Sequence, residues 1–568
     1  MSTVVFVRRF LSDYARNRVN LLLLAVVPLV FVVVVGGSIA DFAKLLNGPG
    51  GPAVQTATAG WAAAFLAGIA MYFQTAGTRD TDRRLVIAGL APHRLVAARL
   101  LTGVTLATLA SAAALASLAV RIGIEHPARA IIGTLMFAVI YVAIGAGVGS
   151  IVSNPVNGTV IVLFVWILDV FFGPAMGAAD RLATRGLPTH FVTLWMVGIP
   201  SGHGGQLGDL GVALAWSLAA LGAAWLIAAR QTRVKHPRPG HRDAGPTIQL
   251  AAAARAAWRD SRRNHVQWVL FVVVPVVFIL TAAAVTPNKP IAMLLREHGR
   301  RLAGTFPMPA VHGATMAPIA IASLTALVGM FVLLDSRDGD RRAALAGLRP
   351  GALFIARLSV LVVIGVAATA VSLGTTALVF QPSNWPLYAA ANLLLAVTYG
   401  LVGALLAPLF GRVGGVFIAF LLPFLDLGIT QSPMLHRSPT TLSTLLPGYG
   451  GSRVLLDGAL TPGFDETVPL LIGLVWLAAL ASVVALTYRH TVRPARPTQP
   501  SMGGRHSHVT AFESPNIRPS ALNPDAPGRL VAIQLRQRAR SGLIPWTGNA
   551  RARAGKRARS PAAERLGA

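Results

Sequence analysis

Apolar runs of membrane-spanning length, separated by short polar or charged intervals, occupy most of the chain between residues 19 and 487. Uncharged stretches cover 19–36, 57–78, 100–120, 130–152, 156–168 and beyond, and 210–229. A second set covers 266–285, 317–334, 358–380, 387–410, 413–425 and beyond, and 468–487. About 20 predominantly apolar residues cross a hydrocarbon core about 30 Å thick, so the pattern predicts an all-α polytopic membrane protein with about twelve transmembrane helices. Composition agrees: 54% of residues are hydrophobic, 12% are charged and the mean hydropathy is +0.61, too apolar for a soluble multidomain protein.

The polar intervals repeat. Arg79-Asp80-x-Asp82-Arg83-Arg84-x3-Ala88-Gly89-Leu90-x-Pro92-x2-Leu95-x2-Ala98-Arg99-Leu100 recurs over 337–358, with 13 of 22 positions identical. Upstream of each copy, Asp13-x2-Arg16-Asn17 followed by Pro28 matches Asp260-x2-Arg263-Asn264 followed by Pro275, at a constant offset of 247. Such self-similarity predicts two tandem membrane units. The expected organisation is a six-span half over 1–229, a linker rich in Pro, Gly, His and Arg over 230–249, a second six-span half over 250–488, and a Pro- and Arg-rich tail over 489–568 expected to be disordered.

Ahead of the first span, Phe6, Phe10, Leu11 and Tyr14 fall on one helical face and Arg8, Arg9, Asp13 and Arg16 on the other. That is the pattern of a helix lying in the membrane interface, and 250–263 repeats it with Trp258 among basic residues. An apolar run after N-terminal arginines also has the outline of a secretory leader. Its counterpart over 266–285 is internal, so 19–36 is read as a permanent span. Pro28 and Pro275 fall mid-span and predict a bend.

The net charge of +29 bears on topology rather than on nucleic acid, for which no partnership is expected. With the N-terminus inside, 11 of the 50 basic residues lie on outer segments and the other 39 on cytoplasmic ones. The positive-inside rule then sets both termini in the cytoplasm, and an even number of spans per unit makes the two six-helix repeats parallel. The tail arginines, with Lys556, suit anionic lipid head groups, with a merely solvated tail as the favoured reading. Dominance of Arg over Lys and the abundance of Ala and Gly suggest the plasma membrane of a GC-rich prokaryote.

Candidate chemistry is sparse. The absence of cysteine excludes thiolate metal sites and a cysteine nucleophile, the 13 histidines are scattered, and no metal site is expected. None of the four lysines, Lys44, Lys235, Lys289 and Lys556, stands in a G-x4-G-K-[ST] frame, so this polypeptide has no P-loop. No catalytic residue is assigned. Asp169 and Asp426 sit at matched places in the fifth span of each half, 12 residues after Asn157 and Gly414. Carboxylates inside a membrane suggest proton or substrate contact; near the outer end of a span they also suit a helix cap, the favoured reading. After each fifth span an outer segment carries glycines, at 202–205 and 448–451, and a short apolar stretch at 191–199 predicts a re-entrant or surface helix.

The repeated charges lie between spans two and three of each half, on the expected cytoplasmic side, where opposite charges in close array suit docking of a partner. Together with the interfacial helix, the proline-bearing first span and the outer helical segment before span six, this turn resembles that of the type-2 ABC exporter permeases, over about residues 4–229 and 250–488. The resemblance implies a permease rather than an enzyme, with ATP and Mg bound by a partner subunit and no cofactor on this chain. It also implies that Arg79, Asp80, Asp82, Arg83 and Arg84, with Arg337, Asp338, Asp340, Arg341 and Arg342, form the surface coupled to an ATP-hydrolysing subunit. Members commonly have one six-span half per chain, whereas this chain resembles two fused halves, which implies two copies of that partner and a small hydrophobic substrate such as a drug, antibiotic or lipid. The alternative is a proton-coupled secondary efflux transporter using Asp169 and Asp426. Gly77-x2-Asp80-x-Asp82-Arg83-Arg84 loosely resembles the major-facilitator turn, with different spacing.

Overall fold

The computed structural model describes residues 3–16, 18–177, 182–201, 205–231, 258–259, 262–345 and 348–492, all within one compact unit. Apart from a few edge residues, the expected linker over 230–249, the second interfacial helix over 250–263 and the tail from 489 lie outside the described residues. Inner and outer below follow the side assignment expected from the charge count.

A hydrocarbon interior has no water to satisfy backbone N–H and C=O groups, so apolar runs of this length close their hydrogen bonds internally as helices. The N-terminal half comprises α1 (Thr3–Ala15), α2 (Arg18–Leu29), a π-helical segment (Val30–Val35), α3 (Gly36–Leu45), α4 (Gly51–Ala76), α5 (Arg79–Ile87), α6 (Pro92–Ile122), α7 (Pro127–Ile151), α8 (Pro155–Phe171), α9 (His190–Val197) and α10 (Gly205–Gln231). The C-terminal half comprises α11 (His265–Val285), strands β1 (Pro290–Glu297) and β2 (Arg300–Pro307), α12 (Met308–Leu345), α13 (Pro350–Thr376), α14 (Trp385–Pro423) with a π-helical extension (Phe424–Thr430), α15 (Gly448–Leu460) and α16 (Thr467–Val492). Pro28 is followed by the π segment, its unpaired turn accommodated within one continuous span, whereas Pro275 lies inside an uninterrupted α-helix.

Among the described residues ten helices are long and apolar enough to cross a membrane. Two places differ from the twelve expected spans. Helix α8 has 17 residues, short of a full crossing. Two other expected spans merge into α14, broken only at Gly411, where φ 66° and ψ −164° are open to a residue without Cβ. The all-helical expectation also omits the outer hairpin β1–β2, whose Ile291, Met293 and Leu295 turn to one buried face. His298 and Gly299 make its turn with positive φ at both positions, as two-residue hairpins require. Their backbone N–H groups donate to the Asp465 carboxylate at 2.9 and 3.2 Å.

The second span of each half is central. Helices α4 and α12 are buried over 89% and 83% of their most apolar windows, against 22% for α10 and 17% for α16, whose apolar faces are left for lipid. Small residues allow this: a Cβ at Gly145 of α7 would overlap the Gly68 carbonyl of α4, and one at Gly403 of α14 the Ala326 carbonyl of α12. Backbones this close maximise dispersion contacts where no hydrophobic force drives helices together. The halves meet along aromatic side chains, with ring centroids 5.0 Å apart for Phe65 and Phe417, 5.8 Å for Trp166 and Phe420, and 5.2 Å for Phe171 and Phe424. At the inner ends the side-chain amides of Asn157 and Asn264 exchange hydrogen bonds of 2.7 and 3.1 Å.

Candidate functional site

The charged repeat folds into an elbow at the inner end of each central helix. In the N-terminal half, α5 runs from Arg79, Gly89 turns the chain with φ 94°, and Pro92 opens α6. In the C-terminal half the same residues continue α12 without a break before Pro350 opens α13. Each elbow closes on an ion pair between residues 17 positions apart, buried in the first half and with a half-buried arginine in the second: Arg99 donates to Asp82 at 2.8 Å, and Arg357 donates to Asp340 at 2.9 and 3.3 Å. Removing one member of such a pair leaves an uncompensated buried charge and costs about 3–5 kcal/mol.

The ten charges expected to form one exposed surface therefore divide. Asp82 and Asp340 are buried, 7% and 2% exposed, with their carboxylates on Arg99 and Arg357. Arg79 reaches back to donate to the Gly149 carbonyl in the last turn of α7, and burial lowers its guanidinium's affinity for its proton. Arg337, its counterpart, holds a buried Nε with no hydrogen-bond partner among the described residues. Asp80, Arg84, Asp338, Arg341 and Arg342 are exposed and Arg83 half-buried, an accessible strip of both signs on each elbow. Arg341 also donates to the Thr491 carbonyl near the end of α16 at 2.8 Å.

Each ion pair has a third member. Phe10 of α1 places its ring 3.7 Å from the Arg99 guanidinium carbon, a cation–π contact. Beside it Tyr14 is buried, which pushes its phenol up to about 12. In the C-terminal half the Tyr488 hydroxyl of α16 donates to Asp340 at 2.8 Å and its ring packs on Phe354 at 5.5 Å. Arg99 and Arg357 stood at matched positions in the repeat, which was the available signal for their role; the aromatic partners had none.

Asp169 and Asp426 occupy outer junctions. Asp169 accepts from the Tyr141 hydroxyl at 3.0 Å, and from the Thr189 hydroxyl and backbone N–H at 2.6 and 3.2 Å. Asp426 accepts from Tyr399 at 2.5 Å, the Gly448 N–H at 2.8 Å and Gln431 at 3.0 Å. Each carboxylate ties the fourth span to the start of an outer helix, α9 or α15, and satisfies an orphan N–H there as a cap does. The outer glycines divide too: 202–204 lie outside the described residues, and Gly448–Gly451 open α15. Among the described residues no three of His, Asp and Glu converge as a metal cage would need.

Residues 54–230 match the family described as ABC-2 family transporter protein. The match starts within the first turn of α4 and ends in the last turn of α10, so it spans the elbow, the Asp82–Arg99 pair and the Asp169 cap. The matched segment is just under a third of the chain, and it is similar to ABC-2 family transporters; the ten long apolar helices make the chain a multi-pass membrane protein. No curated protein matches the chain.

The protein holds one feature that the sequence did not signal. Two adjoining, partly open clefts lie between the halves and share Phe171, Phe278, Ile319 and Phe424. The larger reaches Phe42 of α3 and His312 of α12. Aromatic walls with few polar groups are the usual make-up of a small-molecule site. The signal was dispersed over five helices of two halves, invisible to a reading that proceeds along the chain.

Proposed function

We propose that the chain is two fused ABC-2 permease halves forming the whole translocation path of an exporter. It moves a hydrophobic or amphiphilic molecule outward across the plasma membrane of a prokaryote, with both termini cytoplasmic. A separate subunit binds ATP and Mg and hydrolyses the nucleotide, one copy under each elbow. The observation that carries this reading is the pair of elbows, each joining an exposed strip of charge to a central buried helix through an ion pair.

Closure of the partner dimer on ATP pushes on Asp80, Arg83 and Arg84 and on Asp338, Arg341 and Arg342. The Asp82–Arg99 and Asp340–Arg357 pairs make each elbow move with its two flanking spans. Helices α4 and α12 then carry the displacement to the aromatic seam, and the halves rock about their pseudo-two-fold. A proton-coupled reading would use Asp169 and Asp426, but donors on both oxygens of each carboxylate favour a structural role.

Gentle purification of the tagged protein from its native membrane, with mass spectrometry of what accompanies it, tests the proposal. An ATPase at about two copies per chain is expected, and charge reversal at Asp80 and Asp338 together should uncouple hydrolysis from export. A chain that purifies alone and moves substrate under a pH gradient without ATP overturns it.

A further inference from the structure

The cavity between the halves is chemically lopsided. Its larger lobe is lined by no charged side chain, and its few polar groups include His312 near the start of helix α12, 4% exposed. The Thr286 hydroxyl donates its one proton to the Ala282 carbonyl at 2.6 Å, and that same oxygen contacts His312 Nδ1. With its proton committed, the hydroxyl oxygen can only accept, so Nδ1 carries the imidazole proton and donates. Among the described residues no carboxylate pairs with the ring, and a buried unpaired charge is costly, so the imidazole is neutral. Its Nε2 is then a bare acceptor. Phe42 meets the ring edge-on with centroids 5.6 Å apart, and Nε2 has no hydrogen-bond partner among the described residues.

We propose that this lobe is a binding site for a neutral, apolar, preferably aromatic molecule carrying one hydroxyl or N–H donor, which His312 Nε2 accepts while Phe42, Phe171, Phe172, Phe278 and Phe424 enclose the body. The spacing that relates Asp82 to Asp340 also relates Val54 to His312, and Val54 is an aliphatic residue buried in α4. The acceptor is therefore present once, on one side of the seam, and the site holds one ligand in one orientation. A site built to receive a hydrogen bond discriminates against analogues lacking the donor, because its own polar atom is otherwise left unpaired. Anionic molecules are disfavoured for want of a countercharge. The assignment names the substrate class for the transporter reading and rests on that reading only for the direction of movement.

The test uses the full-length protein in lipid nanodiscs, without ATP or a partner, and two radiolabelled probes: 1-naphthol, which has the donor, and 1-methoxynaphthalene, which does not. Binding is corrected against empty nanodiscs, and comparing the same two probes across variants cancels their different partitioning into lipid. His312→Phe should weaken 1-naphthol about tenfold, the worth of one hydrogen bond, and change 1-methoxynaphthalene less than about twofold. His312→Gln keeps an acceptor and should recover part of the loss, which a merely structural role for His312 would not produce. Absence of saturable 1-naphthol binding to the native protein, or an equal change for both probes in His312→Phe, overturns the site. Because binding needs no ATPase, these outcomes are separate from failure to capture a partner, which would overturn the exporter reading alone.

Discussion

The two elbows share an ion pair and differ in what holds it. Arg99 lies under Phe10, so the N-terminal elbow is fastened to the helix preceding the first span; Asp340 receives Tyr488, so the C-terminal elbow is fastened to the last span. The geometry between Asp and Arg is nearly the same, 2.8 and 2.9 Å across 17 positions. A repeated motif thus supplies its own internal clamp, while the surroundings decide which neighbour moves with it. The same contrast appears at the cavity, where His312 has the aliphatic Val54 as its counterpart in the repeat.

The largest effect expected is from breaking the clamps. Asp82→Ala and Asp340→Ala should each destabilise the purified protein by about 3–5 kcal/mol, seen as a fall in Tm in detergent. Replacing both members, Asp82→Leu with Arg99→Met, should restore most of the loss; if the double variant is as unstable as the single one, the pair is not the clamp described. Crowding the central helices comes next. Gly145→Ala and Gly403→Ala each push a Cβ into a carbonyl of the facing helix and should cost about 1–3 kcal/mol, and a neutral result at either would reveal slack in that half.

The third members sharpen the comparison itself. Phe10→Ala removes a cation–π contact worth about 0.5–2 kcal/mol and should loosen only the N-terminal elbow, read as faster hydrogen exchange over α5. Tyr488→Phe removes a hydrogen bond to a charged group worth about 1.5–3 kcal/mol and should loosen only the inner end of α12. Equal changes in both halves on either substitution would dissolve the asymmetry. The smallest effect is expected from Asp169→Asn, which keeps one acceptor oxygen for Tyr141 and the Thr189 hydroxyl; transport should survive nearly intact, and its loss in a folded variant would return Asp169 to the proton-coupled reading.

The spans, the charged turn and the matched carboxylates were legible because each depends on neighbours in sequence. Apolar length sets a crossing, a Pro at N1 opens α6 and α13, and positive φ at Gly89 and Gly411 marks where helices stop or break. The hairpin was less so, although Ile291, Met293 and Leu295 alternate before a His-Gly turn; a short alternating run between long apolar ones has little weight by itself. The burial of Asp82 and Asp340 could not be told from exposure, since an Asp in a dense charged cluster reads the same on either face of a short helix. Only the position of Arg99 or Arg357, one helix later, decides which Asp turns inward.

The sequence by itself determined the membrane class, the number and place of nearly all crossings, and the repetition of an acid–base elbow, because hydrophobic length and local turn chemistry act through bonds along the chain. Tertiary structure decided which charges remain on the surface, that α4 and α12 rather than the more apolar helices lie at the centre, and that His312, Phe42 and Phe278 line one cavity. Those outcomes depend on backbone approach at Gly68, Gly145 and Gly403 and on side chains hundreds of positions apart, and packing of this kind is settled by shape and by the cost of an unpaired buried group, neither of which is written at any single position.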